Sequence, residues 1–128
     1  MTRIKGVGID IVEVARIEHA LDRWGDAFVT RIFTTAEDER ARPPRARSAR
    51  LAARFAAKEA VMKALGLGWR AMGWRDIEIL NDALGKPTVT LRGGARHAAE
   101  RQGIAAVLVS LSHTRDLAFA SALAVEQG

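Results

Sequence analysis

Residues 50–65 read RLAARFAAKEAVMKAL, a run of helix-forming residues without a glycine or proline. At roughly 100° per residue, Arg50, Arg54 and Lys58 fall into one basic stripe. Phe55, Met62 and the alanines at 52, 53, 56, 57, 60 and 64 cover most of the remaining circumference. A helix apolar over so much of its surface expects burial on most sides. Glu59 and Lys63 nevertheless stand inside that apolar sector. Charges placed there must be paired, bound to a metal or turned toward a cavity. The plain structural reading is an i,i+4 Glu-to-Lys pair, worth about 0.3 kcal/mol at a surface. The basic stripe also has two readings, a solvated face or a grip on phosphates.

Upstream, Ser48 is the expected N-cap of this helix, and Gly66 and Gly68 are expected to end it. Pro43-Pro44, within the basic segment ARPPRARSAR, predicts a solvated loop. Thr34 or Thr35 can cap a short helix through Glu37 to Arg40, and Asp26 to Ile32 reads as another. Val14, Ile17 and Leu21 recur at helical spacing from Glu13 to Trp24, with Arg16, Ala20 and Arg23 on a neighbouring face. Ile4 to Val12 alternates as a strand, with Val7, Ile9 and Ile11 on one side and Gly6, Gly8 and Asp10 on the other. Glycines in a strand mark close approach of a ligand or of another backbone. Asp10 therefore either opens onto a site or ends the strand and caps the next element.

Downstream, Gly68 to Arg75 predicts a loop with two tryptophans. Asp76 to Leu80 and Thr88 to Leu91 form a hairpin across the Asn81 to Pro87 turn. Gly94 to Gln102 is a helix. Ala105 to Ser112 and Leu117 to Val125 are strands turned by His113 to Asp116. His113 reads either as a turn residue or as a ligand contact, and His19 and His97 as surface helix residues. The order of elements predicts one domain, 1–128, of the α+β class, with a largely antiparallel sheet and one long helix packed on it.

The chain has 128 residues, 48% of them hydrophobic, enough for one real core. It has no cysteine, so disulfides and thiolate metal sites are excluded and a metal would be a hard ion such as Mg²⁺. No segment has the makings of a signal peptide or a membrane span, which predicts a cytoplasmic protein. The net charge of +5 suits an acidic or phosphate-bearing partner. With aromatics at 5%, and none interleaved with a basic run, a nucleic-acid-binding module is the lesser alternative.

Six stretches occur together in order: GVGIDIVEVARIE at 6–18, RIFT at 31–34, RFAAKEAVMKALGLG at 54–68, DIEI at 76–79, NDALGKP at 81–87 and VSLSHT at 109–114. On these the sequence resembles the holo-acyl-carrier-protein synthases, of the 4′-phosphopantetheinyl transferase superfamily, over nearly its whole length. The resemblance implies that fold, together with transfer of the 4′-phosphopantetheine arm of coenzyme A to a serine of apo acyl carrier protein. Adenosine 3′,5′-bisphosphate would be the other product, and fatty-acid biosynthesis the setting. It implies Asp10 and Glu59 as Mg²⁺ ligands and Lys63 beside the reacting phosphates. It also implies Gly85, Lys86 and Pro87 beside the nucleotide, and a homotrimer with sites between subunits. Arg54, Ser112, His113 and Thr114 are further candidates for coenzyme A contact. Glu59, directly or through a metal-bound water, is the first candidate for general base, and His113 the second. An acidic carrier protein would dock on Arg16, Arg23 and Arg31.

Overall fold

The computed structural model describes residues 3–66, 68 and 72–126. In order they form β1 (Arg3–Glu13), α1 (Val14–Trp24), α2 (Asp26–Ile32), α3 (Thr35–Ala41), α4 (Arg47–Ala64), β2 (Ile77–Asn81), β3 (Pro87–Leu91), α5 (Gly93–Arg101), β4 (Ile104–His113) and β5 (Leu117–Glu126). The strands make two sheets rather than one, β1-β5-β4 and the hairpin β2-β3, and every pairing is antiparallel.

The long helix α4 lies across one face of the three-stranded sheet and touches all three strands. Small residues on both partners let it do so. The central strand β5 offers Ala118, Ala120, Ala122 and Ala124, all buried, and α4 answers with Ala52, Ala53, Ala56, Ala57, Ala60 and Ala64. Val61, Leu51 and Leu65 fill the remaining space, each at most 1% exposed. Beneath β1 the approach is closer still. A Cβ added to Gly8 would stand 1.9 Å from the carbonyl oxygen of Ala60, and one added to Gly6 the same distance from that of Ala64. The glycines therefore do not clear room for a ligand. Helix backbone fills the space beside them.

Two expectations about α4 are corrected. Its N-cap is Ala46, in the left-handed region at φ 62°, so the helix starts before Ser48 and no side chain caps it. The basic stripe is not solvated either: Arg54 is 8% exposed and Lys58 0%, whereas Lys63 is exposed. The stripe faces inward because α3 and β2 supply it with partners. Glu37 forms an ion pair with Lys58 Nζ at 2.8 Å, and Lys58 also donates to the carbonyls of Trp74, at 3.1 Å, and Ile77. Arg54 Nε donates to the carbonyl of Ile79 at 3.2 Å.

The ends of the other elements follow local chemistry. Thr34 caps α3 in a reciprocal capping box with Glu37. Gly66, at φ 71°, takes the chain out of α4 with its N–H on the carbonyl of Lys63 at 3.0 Å. Of the predicted loop over 68–75, residues 69–71 lie outside the described residues. Met72 is buried, and Trp74 opens a single 3₁₀ turn, Trp74–Asp76, with its indole stacked on Phe55 at 4.9 Å. No helix among the described residues is long and apolar enough to cross a membrane.

Candidate active site

Because α4 passes so close beneath β1, Asp10 on the inner side of the strand meets the last turns of the helix. Lys63 Nζ donates to Asp10 Oδ1 at 3.1 Å and to the carbonyl of Ile9 at 2.9 Å. The predicted Glu59–Lys63 pair does not form, since Lys63 reaches the strand instead. Among the described residues Glu59 has neither a hydrogen bond nor an ion pair to its side chain. Half-buried, it has its carboxyl raised above the ordinary value, first by burial and then by the charge of Asp10, with Lys63 and Arg16 opposing. Two carboxylates and one ammonium thus share a half-open site where a further positive charge is wanted.

That donor set is made of oxygens, and no group of three His, Cys, Asp or Glu side chains placed to hold a metal occurs among the described residues. Two carboxylates with phosphate oxygens and waters suit Mg²⁺, which seldom takes an all-protein cage. The residues present fit the ion.

On the opposite flank of α4 a cleft of about 640 Å³ is lined by Arg40, Arg50, Arg54, Lys86, Pro87 and His113, among others. Gly85, at φ 86° in the β2–β3 turn, lies on the same wall. Arg50 turns Nη2 to the carbonyls of Ala41 and Pro43, and its buried Nε has no partner among the described residues. A second cleft, of about 510 Å³, runs between α1, the 44–49 segment and the β4–β5 turn. His113 is shared between the two clefts, while Thr114 lines only the second. The Thr114 hydroxyl accepts the N–H groups of Asp116 and Leu117 and so closes the β4–β5 turn. Ser112 belongs elsewhere: strand alternation places it on the outer face of the sheet, in a shallow depression with Ile9 and Phe119.

Sequence reasoning placed Arg50 in the basic stripe but missed two wall residues, Arg40 and, in the second cleft, Arg47. The density of arginine between 40 and 54 was their only signal. Arg16 and Arg23 are exposed on α1, and Arg23 lies over the Trp24 ring at 4.9 Å. Arg31 borders an apolar groove of about 510 Å³ formed by Trp24, Phe28, Ile32, Phe55 and Trp74. His19 and His97 are exposed, as expected.

The chain belongs to the 4′-phosphopantetheinyl transferase superfamily, whose family model matches residues 6–120. It is 50% identical over 122 residues to the holo-[acyl-carrier-protein] synthase of Desulforudis audaxviator, covering 95% of this chain and 93% of that protein. The crystal structure of holo-ACP-synthase from Plasmodium yoelii superposes with a TM-score of 0.88 at 32% identity, covering 100% of this chain and 99% of the other. The Helicobacter pylori holo-[acyl-carrier-protein] synthase in complex with coenzyme A gives 0.82 at 30% identity, over 92% and 98% of the two chains.

Proposed function

We propose that this protein is a holo-acyl-carrier-protein synthase, which moves the 4′-phosphopantetheine arm of coenzyme A onto a serine of apo acyl carrier protein. One observation carries the chemistry: Asp10 of β1 meets Glu59 and Lys63 of α4, about fifty residues away in sequence, across the sheet-and-helix contact. In the reaction the serine oxygen forms a bond to the β-phosphorus as the bond to the α-phosphate oxygen breaks, releasing adenosine 3′,5′-bisphosphate. Positioning and charge neutralisation are the main needs of such a displacement. Asp10 and Glu59 are the residues that would hold Mg²⁺, which when bound supplies charge neutralisation at the pyrophosphate. Lys63 steadies charge on the leaving phosphate. Glu59, the carboxylate of the site that is not paired to Lys63, accepts the serine proton, with His113 the second candidate.

The arginine-rich cleft, with Lys86 and His113, is the candidate seat of the nucleotide phosphates. It lies on one flank of α4 and the carboxylates on the other, because Arg54 and Glu59 are about 140° apart around the helix. With the two sets of groups on opposite flanks, a site completed by a neighbouring subunit agrees with the homotrimer that the resemblance implies. The outer sheet face supports it too, since Val7, Ile9, Ile11 and Leu108 are each more than half exposed there. Ser112, on that face, would then act beside a neighbouring subunit.

Arg31 at the apolar groove, Arg23 over its Trp24 and Arg16 two turns earlier on α1 suit an acidic carrier protein that presents an apolar side chain to the groove. A single domain, 1–128, acting in the cytoplasm in fatty-acid synthesis completes the reading. Mass spectrometry tests it: purified protein with coenzyme A and Mg²⁺ should add one phosphopantetheine to an apo carrier protein and none to the variant lacking the acceptor serine. No mass gain, with salt-sensitive binding to DNA instead, would reject the reading.

A further inference from the structure

Lys58 and Glu37 take no part in this chemistry, yet both side chains are wholly inaccessible to solvent. Stability alone is a poor reason for such a pair, because apolar residues of the same volume often serve as well or better. What the pair does is hold main chain. Glu37 accepts the N–H of Thr34 and that of Ile79, each at 2.8 Å, and Lys58 donates to the carbonyls of Trp74 and Ile77. One buried ammonium and one buried carboxylate thereby tie the start of α3, the 3₁₀ turn and β2 to α4.

Trp74 is the residue through which this reaches the surface. Its carbonyl is fixed by Lys58, and its indole lies at an interplanar angle of 22° on Phe55, one turn earlier on the same helix. Both rings wall the apolar groove beside Arg31. The turn that carries Trp74 is only three residues long, closed by the N–H groups of Asp76 on the Gly73 carbonyl at 3.1 Å and of Ile77 on the Trp74 carbonyl, and by Asp76 accepting the Gly73 N–H. It fixes main chain, and the indole takes its place from α4 through Phe55 and Lys58.

We propose that the Lys58–Glu37 pair is a positioning device for the Trp74 wall of this groove, and so for selection of the carrier protein, with no hand in coenzyme A recognition. This rests on the reading that the groove receives an acidic carrier protein. Lys58 and Glu37 are positioning residues, since neither touches a substrate.

The test uses Lys58→Met and the paired variant Lys58→Met/Glu37→Gln, which leaves no carboxylate stranded, in protein labelled with 5-fluorotryptophan. The Trp74 fluorine resonance, assigned by its loss in Trp74→Phe, should shift or broaden in both variants. KM for apo carrier protein should rise about tenfold while KM for coenzyme A stays within about twofold. Added to Trp74→Ala, the paired variant should raise the carrier KM no further. An unmoved Trp74 resonance, equal rises in both KM values, or fully additive effects would each overturn the proposal. Failure of both variants to fold would also overturn it, by making the pair a requirement of the fold. If Trp74→Ala left the carrier KM unchanged, the groove reading itself would fall, a result separable from the resonance data.

Discussion

Lys58 and Lys63 stand five residues apart on one helix and each meets a carboxylate, but their surroundings differ. Lys58 and Glu37 are both 0% exposed, and their hydrogen bonds beyond the pair all go to main chain. Lys63 is 54% exposed against an Asp10 that is 13% exposed, and next to them Glu59 has no partner of its own. The first arrangement is closed and satisfied; the second is open and short of positive charge. Burial pushes the Lys58 ammonium below its ordinary value, with Glu37 opposing, whereas at the other site the group pushed is the carboxyl of Glu59, upward. The same side-chain types thus serve as a clamp on one flank and as the makings of a reactive site on the other.

The largest effect should come from breaking the closed pair. Glu37→Ala leaves Lys58 buried and uncompensated, and should cost about 3–5 kcal/mol in urea denaturation. Asp10→Ala at the open pair should cost no more than about 1 kcal/mol. Equal losses would erase the distinction. Next, Glu59→Gln should cut transfer by roughly 10²- to 10³-fold in a steady-state assay while the melting temperature holds. Wild-type turnover would remove Glu59 from the chemistry.

A smaller change sharpens the contrast at the surface. Arg16→Glu should raise KM for the carrier protein several-fold, on the order of 1 kcal/mol, and KM for coenzyme A much less, with the gap shrinking in high salt.

The smallest effect concerns Glu78, beside the closed pair. Burial works to raise its carboxyl, but hydrogen bonds from Thr34 at 2.6 Å and Arg92 at 3.1 Å, and the charges of Arg92 and Lys58, hold it below the ordinary value. Its contribution is therefore present above the ordinary value of 4.5 and lost as pH falls through the depressed one. Wild type should exceed Glu78→Gln in melting temperature at pH 7, with the gap closing in acid.

Much of this is legible in the chain. Hairpin, capped helix and alternating strands carry local signals, and the bounds of α2 match the expected Asp26 to Ile32 residue for residue. The open site is legible too, because two charges inside an alanine-rich sector demand an explanation. The closed site is not. Arg54 and Lys58 read as a stripe either solvated or gripping phosphates, since their partners, Glu37 and the carbonyls of Trp74, Ile77 and Ile79, are distant in sequence and most of them are main chain. No pattern of side chains announces a carbonyl. The split of the strands into two sheets is equally hidden, because pairing between hairpins depends on where α4 lies. Ser112 groups with His113 by adjacency, although neighbours on a strand face opposite ways.

The meeting of β1 with α4 involves no side chain at Gly6 or Gly8, and the nearest atoms opposite them are helix backbone. At this point the height of Asp10 above the helix is set by backbone lying on backbone. Any side chain at either glycine would lift the strand off the helix and carry Asp10 out of reach of Lys63.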